Sequence, residues 1–100
     1  MDHTQLPIHA AETQAGGHYV VAMPNGEDSR LTWRHLGEGV IEADHTFVPV
    51  PYRAQGIAEA LVERLVADAR AAGRTIVPRC WFVADEFKRH HPDWDDVLAR

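Results

Sequence analysis

The apolar pattern of this chain changes period once, and the change is abrupt. From Val40 to Val48 it reads as a strand. Strict alternation puts Ile41, Ala43, His45 and Phe47 on one face and Glu42, Asp44 and Thr46 on the other. Beyond Gly56, Ile57, Leu61 and Leu65 recur every four residues, with Ala58, Val62, Val66 and Ala69 beside them. That is a helical period. Between the two lies Pro49-Val50-Pro51-Tyr52-Arg53-Ala54-Gln55-Gly56, whose prolines forbid continued pairing in a central strand. A strand, a tight loop and a long helix must therefore follow one another. The helix is predicted over residues 55–72, roughly 27 Å at 1.5 Å per residue, and Gly73 suits its C′ position.

The flanking segments fit around this unit. His18 to Met23 is rich in strand formers and ends at the turn signal Asn25-Gly26. Ser29 to Leu36 alternates, with Leu31, Trp33 and His35 on one face. Three strands joined by short turns predict an antiparallel meander. Thr75 to Pro78 is a short apolar strand after the helix, expected to lie parallel to the third. Trp81 to His90 reads as a helix, broken at His91-Pro92, with a final turn to Leu98. Residues 1–16 read as an irregular lead-in to a single domain over 17–100. The expected fold class is α+β: a mostly antiparallel curved sheet, a parallel last strand, one long helix and one or two short C-terminal helices.

At 100 residues the chain has room for one core. A net charge of −5 argues against a nucleic-acid partner. Eight of the ten Lys and Arg residues fall in the second half, so a small anion can still find a basic locality. A single cysteine excludes an internal disulfide and a cysteine-rich zinc site. The first residues are neither basic nor apolar, and no run is long enough for a membrane span. A cytoplasmic protein is expected, with no membrane partner. No His-x-x-x-His pair with a third ligand emerges, and adjacent His90 and His91 point differently on an ordinary helix. No metal site is expected.

The loop carries the chemistry. The first amides of a helix lack intrahelical acceptors, and the dipole adds positive potential there. Phosphate suits such a site, and Arg53 adds a permanent charge. The alternative is a plain turn in which Gly56 serves only the backbone. It is neither a Walker loop nor a dinucleotide fingerprint.

Arg53-Ala54-Gln55-Gly56-Ile57-Ala58 resembles the Arg/Gln-x-x-Gly-x-Gly/Ala signature of the GNAT superfamily of N-acetyltransferases. His45 to Pro49, the helix, Val77 to Val83 and Arg89 to Trp94 extend the likeness to a short, single-domain branch with a cysteine after the last strand. The resemblance covers roughly residues 17 to 98. It implies acetyl-coenzyme A as cosubstrate and a small-molecule or peptide amine as acceptor. Backbone groups at Phe47 and Val48 would pair with the pantetheine arm. The amides of Arg53, Ala54, Gln55, Gly56, Ile57 and Ala58 would hold the pyrophosphate. Larger members often use a tyrosine after the last strand to protonate the leaving thiolate, and none stands in Ala84 to Arg89. They also carry two helices after the first strand, for which this chain has no residues.

Cys80 is the first catalytic candidate, either as proton donor or as carrier of the acetyl group; a structural cysteine is the alternative. His45 is the second, as base toward the acceptor ammonium, against a core histidine beside Phe47. His90 and His91 with Lys88, Arg89 and Arg74 read as a solvated cationic helix end, the alternative being a contact for the 3′-phosphate of coenzyme A. Trp33, Trp81 and Trp94 read as core anchors. A non-catalytic acyl-coenzyme A-binding module is the rival function, and a small structural protein the third. The acceptor and the oligomeric state are not written in the sequence.

Overall fold

The computed structural model describes residues 7–99. Five strands form one sheet in chain order: β1 (His9–Glu12), β2 (Gly16–Ala22), β3 (Asp28–Gly37), β4 (Val40–Phe47) and β5 (Thr75–Pro78). The first four are antiparallel, and β5 is parallel to β4. Helix α1 (Ile57–Ala72) connects the parallel pair. After β5 come α2 (Trp81–Asp85), a π-helical turn (Glu86–His90) and a 3-10 turn (Pro92–Val97).

Helix α1 buries Ile57, Ala60, Leu61, Val62, Leu65, Val66 and Ala69. They meet Tyr19, Leu31, Trp33, Ile41, Ala43 and Ile76 from one face of the sheet. Each large aliphatic side chain buried there contributes about 1.5–3 kcal/mol. Gly73, with φ 70°, ends the helix, as the sequence requires. Phe87, Trp94 and Val97 close the core from the C-terminal segment.

Three features depart from the sequence reading. His9–Glu12 is a strand, not part of an irregular lead-in. All four of its residues are exposed, so it has no apolar alternation to reveal it. Backbone bonds to the free edge of β2 hold it instead. Gly17 makes this possible, because a Cβ there would lie 2.5 Å from the Ala11 carbonyl and 2.6 Å from the Trp33 ring. Residues 1–6 of the expected lead-in lie outside the described residues.

The second departure is in β4. Thr32 pairs with His45, but Trp33 pairs with Ala43, so Asp44 is one extra residue. Such a bulge reverses side-chain alternation beyond it. His45 therefore leaves the face of Ile41 and Ala43 and is exposed opposite Thr32, while Thr46 turns inward opposite Leu31.

The third concerns Trp81, expected in the core but 77% exposed at the start of α2. Phe82 and Val83 supply the inward contacts of that turn. Trp33 and Trp94 are core residues, as expected.

Candidate functional site

The β4–β5 ladder ends at the Ala43–Pro78 pair. The bulge lies immediately beyond, and past it β4 runs on to Phe47 without a ladder to β5, which ends at Pro78. Cys80 N–H donates to the Ala43 carbonyl at 2.8 Å, which pins the start of α2 beside the parting. A cleft of about 320 Å³ opens there. Thr46 and Phe47 line it from β4, Val48, Arg53, Ala54, Ile57 and Ala58 from the loop and α1, and Phe82 from α2.

Helix α1 enters this cleft without a side-chain cap. Gly56 takes the N-cap position with φ 86°, a left-handed conformation that glycine adopts without steric cost. Its carbonyl accepts from Ala60 N–H at 3.1 Å, so the first helical hydrogen bond is formed. The amides before Ala60 have no intrahelical acceptor. Ala54 also sits in the left-handed region, with φ 63°. Gln55 folds back toward the Pro51 carbonyl at 3.4 Å.

Arg53 braces the loop. Its Nε donates to the Val48 carbonyl at 2.8 Å, and its guanidinium lies 6.0 Å from the Phe47 ring centre. One backbone acceptor expected to meet the pantetheine arm is thus already engaged. The remaining guanidinium nitrogens stay at the exposed mouth.

Cys80 stands behind the cleft wall rather than in it. Its Sγ donates to Thr46 Oγ1 at 3.5 Å, and Thr46 itself lines the cleft. The thiol is half-buried. His45 is not brought to this group, because the bulge sends it to the opposite, exposed face. Phe47, Val48, Arg53, Ala54, Ile57 and Ala58 come together as the sequence suggests, with Gly56 behind them at the helix start. Thr46, Tyr52, Glu59 and Phe82 complete the lining and were not singled out by sequence. Thr46 was hidden by the bulge, since simple alternation assigns it to the outer face. Phe82 was legible only as the neighbour of Cys80.

The cationic group expected around His90 and His91 is dispersed. Arg74 makes a two-pronged pair with Glu12 across the sheet edge, and Arg89 binds Asp85 at 2.8 Å. His90 and His91 face Glu86. Burial pushes the Glu86 carboxyl above the usual carboxylate range; Glu59 and Asp85 push the same way, and the two histidines oppose them.

Comparison with known proteins accords with this geometry. A family model described as GCN5-related N-acetyl-transferase matches residues 18–97. The NMR solution structure of a GCN5-like protein from Staphylococcus aureus, itself an inferred N-acetyltransferase, superposes with a TM-score of 0.73. That alignment covers 99% of this chain and 91% of the other at 23% identity, a likeness of fold. No curated protein matches the sequence. With four-fifths of its length under one family model, the chain belongs to the GCN5-related N-acetyltransferases.

Proposed function

We propose that the protein transfers an acetyl group from acetyl-coenzyme A to the amine of a small molecule or peptide. One observation carries this: the parting of β4 and β5 opens directly onto the uncapped N-terminus of α1, with Thr46 on its wall and Cys80 behind Thr46. The cleft fits the cosubstrate on chemical grounds. Its lining is mainly apolar beside Phe47, Val48, Ile57 and Phe82, which suits a pantetheine arm. Its mouth carries free amides and a guanidinium, which suit a diphosphate.

Acetyl-coenzyme A would supply an activated acetyl thioester. The amides of Ala54 to Ala58 would hold its diphosphate, the Arg53 amide being engaged by the Val50 carbonyl at 3.3 Å, and the Val48 amide would polarise a carbonyl oxygen. Cys80, behind the wall, would give the proton that a departing thiolate needs by way of the Thr46 hydroxyl. In the alternative route its sulfur takes the acetyl group, its proton goes to the coenzyme sulfur, and the amine then displaces Cys80. A free cysteine in this role suits the cytoplasm, where thiols stay reduced. His45 is placed to take an acceptor proton only from the open face of the sheet, so water is the better-placed base.

A second reading, a non-catalytic acyl-coenzyme A-binding module, is favoured by the outward turn of His45 and by the lack of tyrosine in Ala84 to Arg89. Calorimetry with acetyl-coenzyme A, followed by thiol release with a panel of polyamines, amino acids and peptides, separates the two. Binding with amine-dependent thiol release supports the enzyme. Binding without release supports the module, and absence of binding refutes both.

A further inference from the structure

The groove on the far side of Gly56 is built differently from the acetyl cleft. It holds about 320 Å³ and is lined by Gly56, Glu59, Glu63, Glu86, His90 and His91. Glu86 is only 5% exposed, yet its carboxylate makes no hydrogen bond among the described residues. Its nearest polar neighbours are His90 Nε2, 3.8 Å from Oε2, and His91 Nε2, 3.8 Å from Oε1. Burial of an unbonded carboxylate is costly unless a cation compensates it.

The backbone explains how both imidazoles reach one carboxylate. Segment Glu86–His90 is a π-helical turn, and His91 N–H donates to the Glu86 carbonyl at 3.0 Å, five residues back. An ordinary helix would bring only His90 over Glu86. The wider turn brings Asp85 toward His90 and His91 toward Glu86. Such π turns are poor in intrinsic stability and gather at functional sites. Ligand atoms of Asp85, Glu86 and His90 all lie within 4.8 Å of one another. Arg89 engages Asp85 Oδ1 at 2.8 Å, which orients that carboxylate and leaves Oδ2 available.

We propose that Asp85, Glu86 and His90 bind a divalent transition-metal ion of the zinc type, with His91 adjoining as a fourth donor or the partner of a metal-bound water. Two carboxylates and an imidazole are ordinary ligands for such an ion. Donors on a tetrahedral ion with bonds of about 2.1 Å stand about 3.4 Å apart, so the 3.8 Å between Glu86 and His90, and spacings of up to 4.8 Å across the three residues, close with side-chain rotations. The ion would also resolve a conflict of charge, a point that rests on the acetyl-coenzyme A reading. Glu59, Glu63 and Glu86 stand beside the helix start proposed to hold a diphosphate, and a cation among them turns repulsion into attraction.

The test uses the tag-free full chain and no coenzyme, so it succeeds or fails apart from that reading. Co²⁺ should give a visible ligand-field spectrum, and Zn²⁺, but not Mg²⁺, should raise the melting temperature. Glu86→Gln keeps the shape of the side chain, and His90→Ala alters a largely exposed one, so both should fold. Each should weaken Co²⁺ binding by about 100-fold, the upper end of what loss of even an outer-shell partner does. His9→Ala, remote on β1, should change neither readout. Absence of a Co²⁺ spectrum, or an unaltered spectrum in Glu86→Gln, overturns the proposal.

Discussion

Replacing Ala54 by glycine should stabilise this protein, although alanine-to-glycine changes usually do the reverse. Ala54 has φ 63° in the loop that leads to Gly56. A left-handed backbone costs an L-residue roughly 1–2 kcal/mol through contact of Cβ with the following carbonyl. Glycine removes that cost but gives the unfolded chain more freedom, which takes back about 0.4–1 kcal/mol. The net gain is about 0.5–1 kcal/mol, or a rise in Tm of roughly 2–8 °C for a domain of this size. Urea and thermal unfolding followed by far-ultraviolet circular dichroism measure it. Ala67, exposed in the middle of α1, provides the contrast. There the same change should lose about 1 kcal/mol of helix propensity. If Ala54→Gly destabilises as much as Ala67→Gly, the strain assigned to the loop is absent and the reasoning fails.

Gly56→Glu should abolish coenzyme A binding in calorimetry while leaving a cooperative unfolding transition, because it adds an anion at the helix start; undiminished affinity would place the diphosphate elsewhere. Cys80→Ala should slow acetyl transfer by about 10²–10⁴-fold if the thiol is the proton donor, and an unaltered rate would make Cys80 purely structural. The Glu86 carboxyl is raised by burial, so the folded state holds its proton more tightly than the unfolded chain. Its ionised form therefore costs stability above the raised value, and the cost vanishes as pH falls below the ordinary value of 4.5. In metal-free buffer Glu86→Gln should be the more stable protein near neutrality, by urea denaturation, with the advantage lost in acid; lower stability near neutrality would contradict this. Leu61→Ala empties a fully buried position under the sheet and should cost about 2–5 kcal/mol, a large part of the stability of a small domain; a loss under about 1 kcal/mol in the same assay would refute the packing account.

Much of the fold was legible because its signals are local. The helical period from Ile57 to Ala69 needs one uncovered face and finds it on the sheet. Gly73 and the Asn25-Gly26 turn act through backbone conformations that glycine favours. The loop residues of the cleft were legible too, since Gly56 and the two prolines fix where strand gives way to helix. What escaped depends on pairing between distant segments. Strand β1 is polar and exposed and exists through the edge of β2. The bulge at Asp44 is visible only in register with β3. The approach of Asp85 to His90 and of Glu86 to His91 depends on a π turn, because ordinary helix spacing brings together only Glu86 and His90 of this group.

Asp44 has a consequence for how the domain tolerates change. Every residue of β4 after it keeps its orientation because Asp44 is left out of the ladder with β3. Deleting that aspartate would leave Ala43, His45 and Thr46 opposite Trp33, Thr32 and Leu31 in an unbroken ladder, so His45 would still face outward and Thr46 inward, and only the kink and the Thr32 hydroxyl's bond to Asp44 would be lost. A single-codon loss at this position would straighten the strand rather than turn the inner wall inside out.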